Sequence, residues 1–297
     1  MPCFLPKEEE AKPWREAWSY KWENVAQKMR YLPEGDEDFE IKMNYSRLFS
    51  GDLSGKVALD AGCGSGQDAA RVAALGATVI GVDQSRGVLL ARRYNLDGPS
   101  AARLHWIRAD LFDLPIRPEC LDLVYANGVL HHTPDTARAF RSVVKTLKPG
   151  GDIVLWVYDR TQYWRLFETF WRPVLARLPH PALSAFLHLV NRPWHAVYRY
   201  RQLVTKRLNP WAGDPAIEFL FDLASGGHLL YLLTDYHLHL AHRVPDHALR
   251  HHHAFDCYSP RYAYGHDEAE LFEWFKEAGV SLTAIAPRRT GLTGKKN

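Results

Sequence analysis

Three acidic residues close three consecutive short apolar runs. Asp60 ends Val57-Ala58-Leu59, Asp83 ends Thr78-Val79-Ile80-Gly81-Val82, and Ala109-Asp110-Leu111 follows Leu104-His105-Trp106-Ile107. Behind the first acid runs Ala61-Gly62-Cys63-Gly64-Ser65-Gly66-Gln67. Glycines at a strand-to-helix corner let the backbone turn sharply and approach a ligand closely. The dinucleotide fingerprint G-x-G-x-x-G needs its last glycine at position 67; Gln67 stands there, and the third glycine is Gly66. A carboxylate at Asp60 repels a pyrophosphate and attracts a cation. Asp83, 17 residues after Gly66, is placed to take two ribose hydroxyls, and Asp110 can accept from an adenine amino group. The set describes a nucleoside carrying an ammonium, and it disfavours NAD(P).

The apolar runs continue with Leu121-Asp122-Leu123-Val124-Tyr125 and Asp152-Ile153-Val154-Leu155-Trp156-Val157. Helical patterns at Gln67 to Leu75, Arg86 to Asn95 and Pro134 to Leu147 lie between the runs, the last ending in a stop and turn at Lys148-Pro149-Gly150-Gly151. Strands spaced by helices predict βαβ units and a mainly parallel sheet. Open α/β sheets bind ligands at the carboxyl ends of their strands, where these acids stand. Four zones follow: an N-terminal helical arm over 1–52, a core over 53–158, an inserted helical cap over 159–258, and a C-terminal helix and strands over 259–297 that complete the core. In the arm, Trp14 to Tyr31 reads as a helix, and Glu34 to Glu40 is acidic. In the insertion, Trp164 to Leu187, Trp194 to Leu208 and Leu220 to Ala241 read as helices. Asp267 to Ala278 is a helix stopped by Gly279, with strands at Val280 to Ala286 and Thr290 to Thr293.

Taken in order, these segments resemble the class I S-adenosylmethionine-dependent methyltransferases, in the small-molecule branch with a helical insertion after the fifth strand. Val57 to Gly66 resembles the family's first motif, Val79 to Ser85 its ribose motif, and Ala109-Asp110-Leu111 its adenine motif. Leu121 to His132 resembles its fourth strand and following loop, and Leu147 to Gly151 the turn before its fifth strand. The resemblance implies a Rossmann-like, doubly wound, seven-stranded α/β sheet whose last strand is antiparallel. It implies S-adenosyl-L-methionine as cofactor, held by Asp60, Ala61, Gly62, Cys63, Gly64, Gly66 and Gln67, by Asp83, Gln84 and Ser85, by Ala109, Asp110 and Leu111, and by Asn127 and Gly128. Asp60 takes the methionine ammonium end, Asp83 the ribose and Asp110 the adenine. Cys63 also reads as a small packing residue.

Displacement from a sulfonium has a good leaving group, so the protein mainly aligns and desolvates the acceptor. A base helps an oxygen or nitrogen acceptor lose its proton. His132 and His131, just beyond the fourth strand, are the candidates, since imidazole titrates near neutrality. Packing at the strand end and capping of the Thr133-Pro134-Asp135 turn are the alternative roles. The place where exocyclic amino groups of nucleic acids are handled by Asn/Asp-Pro-Pro-Tyr/Phe reads Asn127-Gly128-Val129-Leu130 here, so no nucleic-acid acceptor is expected. The expected acceptor is a small molecule, partly apolar or anionic. Tyr258, Arg261, Tyr262 and Tyr264 are candidates to line its pocket, with loop packing as the alternative, and Trp18, Tyr20 and Trp22 of the arm to sit against acceptor or cofactor. A cofactor-binding regulator or scaffold without turnover is the alternative from another class.

Residues 160–207 hold nine basic residues against one acid, Glu168, and nine aromatics, with Trp164, Phe167 and Trp171 at helical spacing. Ordinary core of an inserted subdomain, serving also as a lid over the acceptor, is the leading reading; an oligomer surface and a minor peripheral membrane contact are the others. Nine of 15 His fall between His228 and His266. His239 and His242 stand i, i+3, yet no Cys or Glu completes a ligand set, so these histidines read as solvated or turn residues and no metal is expected. The whole chain, 297 residues with a formal net charge of +3, is too evenly charged to argue for nucleic acid. Four scattered Cys, no secretory signal and no long apolar run predict free thiols in the cytoplasm.

Overall fold

The computed structural model describes residues 1–5, 13–26, 39, 43–160, 172–190, 247–286 and 291–297. Met1–Gln162 with Arg261–Asn297 form one compact unit and Tyr163–Pro260 a second. In the first, strands β1 (Val57–Ala61), β2 (Thr78–Asp83), β3 (Leu104–Arg108), β4 (Leu121–Asn127), β5 (Leu147–Trp156), β8 (Val280–Ile285) and β9 (Gly291–Lys296) make a seven-stranded sheet in the order β3-β2-β1-β4-β5-β9-β8. Neighbours from β3 to β5 are parallel, while β9 runs antiparallel to both β5 and β8. The expected antiparallel last strand is therefore present. The order reverses about β1, so the crevice at the carboxyl ends of β1 and β4 is the switch point where such sheets take ligands.

Both faces of the sheet are covered, as buried parallel strands require. Leu59, Ala61, Val124 and Ala126 face one core with Phe140 and Val143 of α4 (Thr136–Lys145). Ala58, Leu123 and Tyr125 face the other, with Ala69 and Val72 of α2 (Gln67–Ala74) and Val88 of α3 (Gly87–Tyr94). The alternation puts Asp60 on the second face, across from Tyr125, its register partner on β4. The Asp135 side chain caps α4 by accepting from Arg138 N at 2.9 Å. Asp267 and Glu270 form a reciprocal capping box on α6 (Glu268–Glu277), the helix that follows the insertion.

Three segments depart from the sequence reading. Leu147 already pairs with Leu121, so β5 runs through the Lys148-Pro149-Gly150-Gly151 stretch expected to be a turn; Gly150 sits at φ +77° and the register shifts there. The arm is an α-helix, α1 (Pro13–Tyr20), only to Tyr20; Lys21–Val25 is one π-turn, closed by Ala26 N to Lys21 O at 2.9 Å. The helix expected from Trp164 to Leu187 is, among the described residues, one turn at Arg172–Leu175 and a separate helix over 180–190, split at Pro179. The aromatics Trp164, Phe167, Phe170, Trp171 and Trp194, the stretches at 194–208 and 220–241, His239 and His242 lie outside the described residues, as does most of Glu34 to Glu40. The basic residues of 160–207 are described only at Arg160, Arg172 and Arg177.

A two-residue sheet pairs β6 (Tyr158–Asp159) in parallel with β7 (Gly265–His266), joining the chain just before the second unit to the chain just after it. Arg160 reinforces the joint through both carboxylate oxygens of Glu270, at 2.8 and 2.9 Å. On the sheet's β3 edge, Phe4 N donates to Arg108 O and Arg108 N to Pro2 O. Among the described residues no helix is long and apolar enough to cross a membrane.

Within the second unit, α5 (His247–Tyr258) carries His251 and His252, which are buried rather than solvated. His251 Nε2 lies 3.1 Å from Ser184 Oγ, and the His188 ring is 4.5 Å from that of His247 and 5.6 Å from that of His251. Burial, then the neighbouring His188 and His247, lower the His251 pKa from the usual 6.5 to about 4. As pH falls from 6.5 to 4 the unfolded chain takes up this proton first, so the contribution is complete above 6.5 and lost across that window. Thermal melts at stepped pH should show the loss, and His251→Gln should flatten it; an identical pH slope for the variant would reject this assignment.

Candidate active site

The corner after β1 is held open by glycine. Gly62, Gly64 and Gly66 lie at φ +81°, +50° and +79°, a region that L side chains rarely adopt. A Cβ on Gly62 would run into Val129, and one on Gly64 into the Trp22 ring. The corner is stitched to β2: Gly62 N and Cys63 N both donate to Val82 O, at 2.7 and 3.0 Å. Asp83 completes the stitch. Its Oδ2 accepts from Gly64 N at 2.9 Å and its Oδ1 from Ser85 N at 2.7 Å. Each carboxylate oxygen can accept more than once, so Asp83 orders the corner while retaining lone pairs toward the crevice.

Asp60 lies beneath this corner, 4% exposed, and its Oδ2 has no hydrogen-bond partner among the described residues. Burial, with Asp68 and Asp83 close by, pushes its carboxyl well above the usual carboxylate range. The Tyr125 hydroxyl lies beside it without meeting hydrogen-bond geometry, and burial and then Asp60 push that phenol upward as well. Burial foremost also raises the Cys63 thiol, which stays protonated as a packing group. Asp68, on the first turn of α2, accepts from Arg71 at 2.8 Å and from Asn127 Nδ2 at 2.9 Å. A buried carboxylate with one oxygen unpaired and two further acids around a glycine corner fits a cationic ligand, which would draw Asp60 to its charged form.

The remaining expected residues fall along the same edge. Ala61 is core, and Gln67 is the first residue of α2. Gln84 Oε1 accepts from Arg15 Nε at 3.0 Å. Ala109 N donates to Asp83 O, Asp110 accepts from Phe112 N and from Arg15 Nη2, and Leu111 is buried. Gly128, at φ +71°, donates to Trp156 O. His131 and His132 occupy a 3-10 turn, Leu130–His132, directly beyond β4, and both are buried. The His132 ring lies 4.8 Å from that of Trp18, and the His131 ring 3.9 Å from that of Tyr158. His132 Nδ1 is 2.9 Å from Tyr262 O, and Tyr264 N donates to His131 O. Arg261 lies over the Tyr262 ring, Tyr264 is partly exposed, and Tyr258 is buried within the second unit.

Residues 59–155 match the methyltransferase domain family. Among curated proteins, the ubiquinone biosynthesis O-methyltransferase of Aliivibrio fischeri (strain ATCC 700601 / ES114) is 33% identical over 122 residues, 40% of this chain and 51% of that protein. Residues 59–155 are thus similar to a methyltransferase domain. The demethylmenaquinone methyltransferase of Clavibacter sepedonicus is 33% identical over 103 residues, 35% of this chain and 41% of that protein. An S-adenosylmethionine-dependent methyltransferase structure from Mesorhizobium loti is 32% identical, covering 38% of this chain and 51% of the other, at a TM-score of 0.34. The chain thus spans about half the length of the first of these curated relatives.

Several groups around the crevice escaped the sequence reading. Arg15 and Arg86 bind carboxylates far away in sequence, and Asp68 follows a glycine loop already accounted for. Only Asp68 had a local signal, an acid in the first turn of the helix that the loop opens. Removing the Asp83 carboxylate frees two backbone donors of the corner, at about 1–3 kcal/mol for each unsatisfied group. Asp83→Ala should bind S-adenosylhomocysteine at least about tenfold more weakly by calorimetry; unchanged affinity would mean the corner does not depend on Asp83.

Proposed function

We propose that this chain transfers the methyl group of S-adenosylmethionine to a hydroxyl of a small, partly apolar acceptor of the phenol or quinol class. The observation that carries the methyl-transfer reading is the buried Asp60 carboxyl under the glycine corner, its Oδ2 without a hydrogen-bond partner among the described residues and Asp68 and Asp83 beside it. The names of the relatives, which concern ubiquinone and demethylmenaquinone, support a quinol-type acceptor. The four cysteines, all free thiols, support a cytoplasmic setting.

S-adenosylmethionine, when bound, supplies an electrophilic methyl on a good leaving group. Asp60, whose charged form burial disfavours, would be drawn to that form by the cationic amino-acid end, Asp83 would offer its remaining lone pairs to the ribose, and Asp110 would take the adenine. Gly62, Gly64 and Gly66 let the backbone come close. Cys63, Gln67, Gln84, Ser85, Ala109, Leu111, Asn127 and Gly128 complete the walls of that site.

His132 is the proposed base. A backbone carbonyl can only accept, so Nδ1 donates its proton to Tyr262 O and Nε2 carries the lone pair. This is the orienting arrangement a general base needs. In the transfer Nε2 would take the hydroxyl proton as the methyl's C–S bond gives way to its C–O bond and S-adenosylhomocysteine leaves. Tyr158 and Trp156 stand beside the two histidines as a ring-lined wall, suited to a flat acceptor. His131 packs against Tyr158 and supports His132 from behind.

Incubation with labelled cofactor and a panel of catechols and hydroquinones should yield a methyl ether. His132→Ala should lower turnover roughly 10²–10⁴-fold with S-adenosylhomocysteine affinity little changed. A loss of turnover under about threefold would retire His132 as base, and label appearing only on a non-phenolic metabolite would replace the acceptor class.

A further inference from the structure

The arm touches the groups assigned above to the adenosine half of the cofactor. Arg15, 2% exposed, reaches Asp110 Oδ2 at 2.6 Å and Gln84 Oε1 at 3.0 Å. With Phe112 N on its other oxygen, Asp110 has both oxygens engaged. The Trp22 indole lies against Gly64 and Gly87, filling the close approach that the glycine corner provides. Lys21 Nζ sits 4.3 Å from the Trp22 ring and 4.9 Å from that of Trp18. The Trp22 ring thus covers the corner assigned above to the cofactor, with Lys21 stacked on that ring.

A separate clasp holds the arm there. Arg86, between β2 and α3, forks to two carboxylates on the arm. Its Nη1 and Nη2 take Glu16 at 2.8 and 2.9 Å, and its Nε and Nη2 take Glu23, both at 2.8 Å. The Arg86 backbone N–H donates to Ser19 Oγ at 3.0 Å. Glu16 lies on α1 and Glu23 on the π-turn, so one guanidinium fixes both parts of the arm. Paired fork contacts of this kind are among the stronger ion pairs.

We propose that the arm is an occluding strap: Arg15 and Trp22 compete with the adenosine end of the cofactor for Asp110 and the Gly64 corner, and Arg86 sets how firmly the strap stays down. The proposal rests on the cofactor reading above and deepens it. Two ligands of one surface exclude each other, so the apparent cofactor affinity is reduced by the fraction of molecules whose strap is up. Arg86 belongs to the clasp and not to the cofactor's contacts, so loosening it changes the strap's population while leaving the site intact.

Calorimetric titration of the full chain with S-adenosylhomocysteine tests this, together with amide hydrogen exchange over 13–26. Arg86→Ala should bind at least about fivefold more tightly than the wild type, and the ligand should speed exchange over 13–26 in the wild type. Equal or weaker binding by Arg86→Ala, or slower exchange in the arm on ligand addition, would make the arm part of the bound site and overturn the strap. If the variant fails to fold, the exchange result on the wild type decides alone. Absence of binding by both proteins would overturn the cofactor reading and the strap together, an outcome distinct from binding without release.

Discussion

A carboxylate buried under a bare backbone corner is the constraint on which the rest of this domain depends. Taking an acid out of water is costly unless it is paired or hydrogen-bonded. Asp60 is hemmed in by Asp68 and Asp83 and answered by no hydrogen bond at Oδ2 among the described residues. The surrounding structure absorbs that strain. The double-sided core fixes β1 between β2 and β4, and Asp83 spends its charge on Gly64 and Ser85 amides. Asp68 shares its own with Arg71 and Asn127. The three acids are therefore held together by the same contacts that keep the corner folded.

The second structural theme is how few groups tie distant segments to that site. Residues 2–4 lie along β3, and the arm reaches the ends of β2 and β3 through Arg15 and Arg86. The loop at Tyr262–Tyr264 reaches the turn after β4 through one backbone bond, Tyr264 N to His131 O, and one from the His132 ring to Tyr262 O. The base candidate thus takes its orientation from a peptide group, which a substitution at Tyr262 itself leaves in place.

Much of this was legible beforehand, for a physical reason. Parallel strands buried on both faces are written as unbroken apolar runs, and an acid terminating such a run stands out, so Asp60, Asp83 and Asp110 could be placed at successive strand ends. The start of β5 was not legible, because Pro149-Gly150-Gly151 serves equally as a helix stop and as a bulge with φ > 0. The burial of His251 was hidden because its cover comes from Ser184 and His188, on another helix. The pairing of Arg15 with Asp110 bridges 95 positions, and such contacts leave no local pattern. Nor does a π-turn, which differs from an α-turn by one residue in one hydrogen bond.

The small β6–β7 pair has a consequence for how the chain can vary. Its two strands hold the chain on either side of the second unit at fixed, neighbouring positions, so the sheet's closure does not depend on what lies between. Loop-closure entropy grows only logarithmically with length, about 0.6 kcal/mol per doubling. The joint is in effect a splice socket: segments of very different length could be exchanged between Tyr158 and His266 while the strands that carry the acids keep their register.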